Sequence, residues 1–478
     1  MTKPNEPATQ EFETNPETET AEVPESPGVP EPAPEAPIVT PAPTQAVDKR
    51  PGVLYACPMN ILDITSGAAL SMRTMLSSLA KRGFRVVALQ AQMFDSAQGA
   101  EHVVAAGEQV KDKAILRAQV LGVEHLIVRT QAVRRPDMRS MEEEIYLRRF
   151  REELVTRRPE FIILWGGLLL EMTVMREARQ LGIPVIFYLV NAGYTNKDTF
   201  QYVSRIVTDT EATAQLYRER HGFECVPIGK FIDPELIKAK ERKPEYITFI
   251  NPSFEKGVNV FMPLAKLAAR EAPEIKFLVV QSRGRWGNAL QVLKFKAEDF
   301  PNVRIIGHQK NMKPVYAATR ALLLPSVWHE SGARVIAEAL INDIPVLASR
   351  TGGSAELVGK GGVVFDLPET VRENRGVAAT EEVVRPWLEE IKRIWHDEAY
   401  YQALTETVRE EGKLHDIERN TDRFLRAVEP LVKQAHMARQ ARAAAKQAAT
   451  PAPDVKGAVK QALTKKQAKQ KAKTSRKR

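Results

Sequence analysis

The feature that most constrains the fold is a regular alternation of short apolar runs and longer amphipathic stretches. Residues 52–57 form the first run, 68–82 follow with apolar residues at helical spacing, and 86–90 are apolar again. A short apolar run next to a stretch with a 3.6-residue period is typical of a strand followed by a helix. Repeated strand–helix units predict a parallel sheet that is covered on both faces.

The alternation appears twice. It covers residues 51–237 and starts again after 238–244, a stretch rich in Lys, Glu and Pro. In the second half we interpret five further apolar runs as strands, at 246–251, 275–281, 303–307, 321–325 and 345–349. The sequence therefore predicts an α/β protein with two Rossmann-like, doubly wound domains that face each other across a cleft. Ligands of such sheets bind at the carboxyl ends of the strands, where loops lead into helix N-termini.

The segment after the second domain has a different pattern. The second domain is assigned to residues 238–370, and residues 371–436 are amphipathic and rich in charge. Their apolar positions recur at helical spacing, so we expect helices there. We expect these helices to pack over the junction of the two domains and to brace the two lobes.

The net charge of +9 is a sum of unlike parts. Residues 1–50 contain nine Glu, one Asp and three basic residues, whereas residues 437–478 contain thirteen basic residues and one acid. The net charges of these segments are −7 and +12, which leaves +4 for the residues between them. The charge therefore describes two terminal segments of opposite sign, and the core is nearly balanced.

Both terminal segments are predicted to be disordered tails. Residues 1–50 hold eleven prolines and one aromatic residue, so they lack the apolar surface that would offset the entropy of ordering them. We interpret them as a solubilising or spacing arm. Residues 437–478 have helical propensity but no apolar stripe. They are either a solvated tail or a contact to an anionic membrane surface or another polyanion, and their lack of aromatic residues argues against a specific nucleic-acid site.

Composition excludes several classes of protein. Cys57 and Cys225 are the two cysteines and lie far apart, so neither a disulfide scaffold nor a structural zinc site is expected. The longest apolar run, 161–170, ends at Glu171 and is well short of the ~20 residues of a membrane span. The first residues are polar and acidic, so no secretory signal is indicated. We therefore expect a cytoplasmic protein, peripheral to a membrane if its basic tail binds one.

The segment 325–357 has the features of a ligand site. A predicted strand ends at Pro325 and a helix is predicted to begin near Arg334, which leaves amides exposed at a helix N-terminus. Such amides bind phosphate or sugar oxygens. Glu330 and Glu338 are separated by about 12 Å of rise and about 80° of rotation if they share a helix. These two acids would contact two parts of an elongated ligand rather than flank one bond as a glycosidase pair does, unless both are merely surface acids.

This segment and several others resemble one family. Glu330 and Glu338 match the E-x7-E signature of the retaining glycosyltransferases of family 4, which have the GT-B fold of two Rossmann-like domains. The matching stretches are PSVWHESGARVIAEA, IPVLAS, TGGSAEL, TFINPSFEKGVNVFMPLAKL, NVRIIGHQKNMKPVYAATRALLLPS, SGAALSMRTMLSSLAKRGFRV, VTDTEATAQLYRERHG and VPIGKFID. The resemblance covers about residues 52–367 and is most specific in the second half.

The resemblance implies a donor site for a nucleotide sugar in the second domain. Glu338 would bind the ribose hydroxyls, and Glu330 would bind hydroxyls of the donor sugar. Lys256 would neutralise the leaving diphosphate, a role that a fixed cation in a cleft can perform. The catalytic residues would thus be Glu330 and Lys256. Further donor-binding residues would be Ser331, Gly332, Ala333, Arg334, Gly307 and His308.

One donor-side position departs from the family pattern. The family usually has an arginine five residues before its lysine, and this chain has Asn251 there. A single lysine is a weaker clamp for a diphosphate, so we hypothesise that Arg283 or Arg285 supplies the second cation. The alternative is that both arginines lie in a solvated loop. Asn251 itself is kept as a donor-binding candidate.

The acceptor side is indicated by fewer residues. Gly67 matches a loop glycine of the first domain in the family. Many members have a histidine after the strand at 184–190, where this chain has Asn191 and then Tyr194, which are the candidates for an acceptor-side polar group. Another departure is Asp343, in place of a glycine that ends the signature helix. It is tolerable because Asn and Asp adopt the left-handed cap conformation.

The implied function is the retaining transfer of a sugar from a nucleoside-diphosphate sugar to an acceptor that the sequence does not identify. No D-x-D pair occurs at a predicted strand end of the core, so we expect no metal and no other cofactor. Two alternatives stay open. One is another enzyme of the same fold, such as a nucleotide-sugar epimerase or a phosphorylase-like protein. The other is a binding protein whose site no longer turns over, which Asn251 and Asn191 favour.

Overall fold

The computed structural model describes residues 50–96, 99–100, 103 and 114–449, and for 442–449 it describes the backbone alone. The acidic segment up to residue 49 and the basic segment from residue 450 lie outside the described residues. Most of both predicted tails therefore falls outside the structure described below.

The first lobe is built on an eight-stranded sheet with the strand order β3-β4-β2-β1-β5-β6-β7-β8. Its strands are β1 Gly52–Ala56, β2 Arg85–Ala91, β3 Ile115–Val120, β4 Val123–Val128, β5 Phe161–Leu164, β6 Val185–Leu189, β7 Arg205–Thr208 and β8 Cys225–Pro227. All pair in parallel except β3, which runs antiparallel to β4 at one edge. The helices that connect parallel strands are α1 Gly67–Lys81, α2 Ser140–Arg157, α3 Leu169–Gln180 and α4 Glu211–His221.

Burial explains which strands of this sheet the sequence predicts well. The central strands β1, β5 and β6 are buried at every position, and their sequences GVLYA, FIIL and VIFYL contain no polar face. A parallel strand that is covered on both sides has a continuous apolar sequence, because neither of its faces contacts water. The edge strand β3, ILRAQV, is only partly buried, and its Arg117 and Gln119 are exposed. Because polar residues interrupt its apolar run, the sequence did not predict a strand there.

The second lobe follows a short helix, α5 Pro234–Ile237, and contains a six-stranded parallel sheet with the order β11-β10-β9-β12-β13-β14. Its strands are β9 Tyr246–Ile250, β10 Phe277–Val280, β11 Val303–Ile306, β12 Thr319–Leu324, β13 Val346–Ser349 and β14 Gly362–Phe365. Its helices are α6 Val258–Glu271, α7 Trp286–Leu293, α8 Lys313–Ala318, α9 Arg334–Ile341, α10 Ser354–Val358 and α11 Glu369–Glu373. The predicted α/β class with two doubly wound lobes is confirmed.

One helix of this lobe begins earlier than the sequence predicts. The apolar spacing predicts a helix at 290–297, whereas α7 begins at Trp286 and ends at Leu293. The amide of Trp286 donates to Oε1 of Gln281 at 3.0 Å, which fixes the start. Lys294 has the left-handed φ of 58°, which ends the helix. The helix position is therefore set by its two ends rather than by its apolar stripe alone.

Three helices complete the chain, α12 Glu381–His396, α13 Glu398–Gly412 and α14 Ile417–Ala449. The apolar face of α12 joins the core of the second lobe, while α14 returns to the first lobe, where the ring of Phe424 lies 5.9 Å from that of Phe161. Helix α14 continues past Met437, where the basic tail was predicted to begin, as far as Ala449. None of the helices within the described residues has both the length and the apolar character that a membrane crossing needs.

Candidate active site

A cleft of about 790 Å³ lies between the lobes, at the carboxyl ends of both sheets. The structure brings most of the predicted site residues to its walls. These are Lys256, Glu330, Gly332, Ala333, Arg334, Glu338, Asn251, Arg283 and His308 from the second lobe, and Gly67 and Asn191 from the first. Ser331, Gly307 and Tyr194 do not line it.

Lys256 and Glu330 form an ion pair in the cleft. Nζ of Lys256 lies 2.6 Å from Oε1 of Glu330, and Oγ of Ser326 lies 2.7 Å from the same oxygen. The pairing depends on Gly257, whose φ is +82° and whose Cβ, if it had one, would lie 1.8 Å from the carbonyl oxygen of Pro325. Only glycine tolerates both that conformation and that approach. The K-G turn thus brings the lysine against the loop that carries Glu330.

Glu338 is held by two side chains. Nε of Arg334, one turn earlier on α9, donates to Oε1 of Glu338 at 2.5 Å, and the hydroxyl of Tyr316 donates to Oε2 at 2.5 Å. Arg334 is itself fixed by a bond to the carbonyl of Phe231 at 2.9 Å. A carboxylate has about four lone-pair sites, so two remain for a ligand. Burial, and then the neighbouring carboxylate, raise the pKa of Tyr316 well above its ordinary value, so this hydroxyl stays a donor.

The loop between Glu330 and α9 presents backbone amides. Within the described part of the chain, the amides of Gly332 and Ala333 donate to no hydrogen-bond acceptor. Both residues line the cleft at the N-terminal end of α9. Ser331 is buried instead, and its hydroxyl has no partner among the described residues. The loop therefore presents the backbone amides of Gly332 and Ala333 at the wall of the cleft.

Asn251 supports a neighbouring loop rather than facing the cleft with a free side chain. Its φ is 64°, in the left-handed region, and its Oδ1 accepts a hydrogen bond from the amide of Gly284 at 2.7 Å. The turn at Gly284 packs so closely on Pro252 that a Cβ would lie 2.4 Å from the Pro252 carbonyl carbon. Asn251 thus fixes the turn that carries Arg283.

Of the two arginines proposed as the second cation, the structure brings one to the cleft. Arg283 lines it with a half-exposed side chain, 3.9 Å from Oδ2 of Asp95 in the other lobe. Arg285 is the residue before α7 and does not line the cleft. Of the predicted donor-binding residues Gly307 and His308, His308 lines the cleft, whereas Gly307 does not, and its carbonyl accepts from Nε2 of Gln309 at 3.1 Å.

On the acceptor side, Gly67 and Asn191 reach the cleft and Tyr194 does not. Gly67 is the first residue of α1, after the N-cap Ser66. Asn191 Oδ1 accepts from the amide of Gly193 at 2.9 Å, which leaves its amide nitrogen available. Tyr194 instead packs against the core of the first lobe. Its hydroxyl accepts from the amide of Gly166 at 3.1 Å, its ring packs among aromatic residues, and burial raises its pKa.

A buried ion pair at the base of the cleft escaped the sequence analysis. Nζ of Lys230 lies 2.6 Å from Oδ2 of Asp209, both side chains are almost wholly buried, and Tyr188 donates to the other Asp209 oxygen. Lys230 lines the cleft. A buried charge needs such a partner, because a lone one costs several kcal/mol. In the sequence these residues were part of two stretches that resemble the family, but nothing in their spacing indicated the pair.

Comparisons with known proteins show what the sequence and the fold are similar to. Residues 245–380 match the family model described as glycosyl transferases group 1. No curated protein matches the sequence. Among solved structures, the chain is similar to sucrose-phosphate synthase from Thermosynechococcus elongatus, at 15% identity over 83% of this chain and 100% of that chain, with a TM-score of 0.56. It is also similar to a glycosyltransferase from Rickettsia africae ESF-5, at 12% identity over 80% and 99% of the two chains, with a TM-score of 0.57.

A third similar structure contains ligands. It is that of HepE from Anabaena in complex with UDP and glucose, at 14% identity over 80% of this chain and 100% of that chain, with a TM-score of 0.56. At these identities the likeness shows the fold, and it confirms the predicted GT-B architecture. The fold and the family match together support a glycosyltransferase of the GT-B type.

Proposed function

We propose that the protein transfers a sugar from a nucleoside-diphosphate sugar to an acceptor with retention of anomeric configuration. The observation that carries the proposal is the cation–carboxylate pair of Lys256 and Glu330 beside two amides, of Gly332 and Ala333, that lack acceptors among the described residues. A cation and amide dipoles fixed in a cleft stabilise charge that builds on a leaving diphosphate. UDP in the structure of Anabaena HepE makes UDP-sugars the first donors to test.

The donor would lie along the wall of the second lobe. Glu338 retains lone pairs for the two ribose hydroxyls, because Arg334 and Tyr316 occupy one site on each oxygen. Lys256 would contact the diphosphate, and Glu330 would contact the sugar hydroxyls. As the bond between the anomeric carbon and the diphosphate breaks, the negative charge grows next to Lys256. We expect no metal to be needed for this neutralisation.

The experiment that tests the proposal combines a donor panel with one substitution. Wild-type protein and Glu338→Ala would be incubated with UDP-, GDP- and ADP-sugars, with donor binding followed by calorimetry and slow hydrolysis by chromatography. Because Glu338 would hold the ribose, we expect the substitution to abolish binding and turnover together. Glu298→Ala, which changes an exposed acid of the same lobe, is the control. Normal turnover by Glu338→Ala would contradict the proposal.

The stereochemical part of the proposal needs its own measurement. Proton NMR of the product glycoside, recorded before mutarotation, would report the anomeric configuration relative to the donor. Retention supports the proposal and inversion overturns it. A wild-type protein that binds nucleotide sugars but turns none over would instead be a binding protein. In the sequence Asn251 favours that alternative, whereas in the structure Asn251 holds the turn at Gly284.

We also propose a cytoplasmic protein that the basic C-terminal segment holds at an anionic surface. Residues 450–478 contain ten Lys and Arg residues and one Asp. Each basic residue near an anionic bilayer contributes about 1 kcal/mol, and salt screens the attraction. Sedimentation with phosphatidylserine vesicles at low salt, compared between the full chain and a chain cut after Ala449, would test this. Equal sedimentation of the two chains would contradict it.

A further inference from the structure

The two lobes meet at one peptide of the donor loop. The carbonyl oxygen of Ser331 accepts a hydrogen bond from Oγ1 of Thr210 at 2.6 Å and lies 3.3 Å from Oγ1 of Thr213. Both threonines belong to the first lobe and are fully buried. A hydroxyl has one hydrogen, and that of Thr210 points to the Ser331 carbonyl, because its other possible acceptor, Oγ1 of Thr213, is farther away at 3.2 Å. The first lobe therefore holds a backbone group of the second.

Fixing this carbonyl also fixes an amide. In a planar trans peptide the carbonyl oxygen and the following N–H point in opposite directions. No cis peptide bond occurs in the described residues, so the amide of Gly332 points away from Thr210. Gly332 lines the cleft, and its amide has no acceptor among the described residues. Thr210 thus determines the direction of one of the amides proposed to contact the donor.

A second contact between the lobes holds Thr210 in place. The carboxylate of Glu356, on α10, accepts from the amides of Glu211 and Ala212, each at 3.0 Å. These amides are at the N-terminus of α4, where the helix dipole favours a negative charge, and Thr210 is the N-cap of the same helix. A carboxylate of the second lobe therefore anchors the helix whose cap residue reaches back to Ser331.

The close approach of the lobes also explains two glycines. A Cβ on Gly332 would lie 2.4 Å from Cβ of Asp209, and a Cβ on Gly353 would lie 2.5 Å from Oγ1 of Thr210. Neither glycine has a positive φ. They are therefore required by contact with the segment Asp209–Thr210 of the other lobe and not by their own backbone conformation.

We propose that Thr210 is a positioning residue, which aligns the Gly332 amide toward the donor sugar when the lobes are closed, and that Glu356 is the contact that keeps them closed. This inference rests on the proposed function, because it assigns the amide to a nucleotide sugar. Under this proposal, the donor site is fully assembled only when the lobes close. In the open state the Gly332 peptide would lose both hydroxyl donors and its fixed direction.

The test compares three substitutions in the full chain. Thr210→Val removes the hydroxyl at nearly constant volume, Thr210→Ser retains it, and Thr213→Val removes the more distant hydroxyl without changing the helix cap. Loss of one oxyanion-type donor lowers kcat by about 10²–10³-fold, and a donor that is misaligned rather than removed should cost less, about tenfold. We therefore expect kcat of donor hydrolysis to fall about tenfold in Thr210→Val, with Thr210→Ser close to wild type and Thr213→Val between them.

Ligand binding separates a positioning role from a loss of structure. Calorimetry with UDP and with UDP-glucose gives the gain in affinity that the sugar provides. Thr210→Val should bind UDP as the wild type does and lose most of that gain, whereas Glu338→Ala should lose both affinities. Unchanged kcat and unchanged gain in a folded Thr210→Val protein would overturn the inference alone. A wild type that binds no nucleotide or nucleotide sugar would overturn the proposed function.

Closure can be measured without turnover. Cys57 and Cys225 are buried and burial raises the pKa of each to about 12, so spin labels can be directed to cysteines introduced at the exposed positions Arg176 and Glu298, one in each lobe. Glu356→Ala should broaden and lengthen the distance between the labels relative to Glu356→Gln, which keeps an oxygen acceptor. It should also add no further loss of kcat to Thr210→Val, because Glu356 acts on the Ser331 carbonyl through the placing of Thr210. Identical distances, or additive losses of kcat, would contradict the role of Glu356.

Discussion

The two walls of the cleft are built from different chemistry. The wall of the second lobe carries two ion pairs, Lys256 with Glu330 and Arg334 with Glu338, at 2.6 and 2.5 Å. The wall of the first lobe is mostly neutral, with the residues Ile64, Thr65, Ser66, Gly67, Ala68, Leu70, Val190 and Asn191 beside one acid, Asp95, which lies 3.9 Å from Arg283. Its cation, Lys230, is already neutralised by Asp209 behind it. One wall is therefore specified by charge, and the other by shape and hydrogen bonding.

Under the proposed function, this difference separates the recognition of the donor from that of the acceptor. Fixed charges suit a ligand that always carries a diphosphate and a ribose, because the positions of those groups do not vary between donors. A neutral wall suits an acceptor whose identity depends on fit. Substitutions on the charged wall should therefore cost orders of magnitude in rate, and substitutions on the neutral wall should cost much less. The predictions below begin with the largest effect, and those on Lys256, Arg283 and Asn191 test that contrast.

Lys256→Met should have the largest effect. It removes the cation beside the leaving diphosphate and leaves Glu330 buried without its partner, so we expect kcat for donor hydrolysis to fall about 10²–10³-fold. Lys266→Met, which removes a lysine of α6 that pairs with Asp299 at the surface, is the matched control and should keep its rate. Steady-state kinetics with the best donor of the panel would measure both. A loss of less than tenfold would mean that the pair is structural and that the walls do not differ as argued.

Arg283→Ala should have an intermediate effect. A charge-assisted hydrogen bond to phosphate contributes about 1.5–3 kcal/mol, and the half-exposed position of Arg283 reduces this, so we expect the donor KM to rise about tenfold. Arg285→Ala changes a residue outside the cleft and should leave KM unchanged. Equal KM values for the two variants would show that Arg283 is not the second cation.

The undecided choice between these arginines shows where sequence reasoning stops. The alternation of strands and helices was enough to predict the two lobes, because a parallel strand that is buried on both faces is a continuous apolar run in the sequence. The E-x7-E and K-G segments likewise brought Glu330, Glu338 and Lys256 into consideration. Which arginine faces the cleft depends on the turn that Asn251 holds at Gly284, and that contact joins residues from two different loops.

The features that the sequence analysis did not predict also depend on contacts between distant segments of the chain. The Lys230–Asp209 pair and the Thr210 contact to Ser331 each connect segments that only the folded chain brings together. Single-sequence periodicity describes which face of an element is buried, and it carries no information on partners across a domain boundary. Tyr194 was a candidate because it follows the strand after which many members of the family have a histidine. Its aromatic environment is a property of the folded chain, which the sequence does not show.

The core behind the neutral wall should respond to acid. His125 in β4 is fully buried, and burial lowers its pKa to about 3 from an ordinary value near 6.5, with the nearby Arg73 as a smaller cause. Below pH 6.5 the unfolded chain binds a proton at this residue and the folded chain does not. The free energy of unfolding should therefore fall by about 1.4 kcal/mol per pH unit from this group alone, between pH 6.5 and pH 3.

Urea denaturation at pH 8.0, 7.0, 6.0 and 5.0 would measure this slope in the wild type and in His125→Gln. The variant should lose stability more slowly with falling pH, and the difference isolates His125 from His329 and His415, whose pKa values burial also lowers. Above pH 7 the two slopes should agree. Parallel curves across the whole range would contradict the assignment.

The smallest effects are expected for Asn191 and Tyr194, the two polar residues predicted on the acceptor side, and the effects should differ in kind. Asn191→Ala removes a cleft residue, so we expect an unchanged donor KM and a change of less than about tenfold confined to the acceptor, the size of one uncharged hydrogen bond. Tyr194→Phe removes the acceptor of the Gly166 amide, so we expect normal kinetics and about 1 kcal/mol less stability, measured by urea denaturation. A kinetic defect in Tyr194→Phe without a loss of stability would return that residue to the site. A large donor KM effect in Asn191→Ala would show that the neutral wall also binds the donor, and the division of the cleft between charge and shape would then fail.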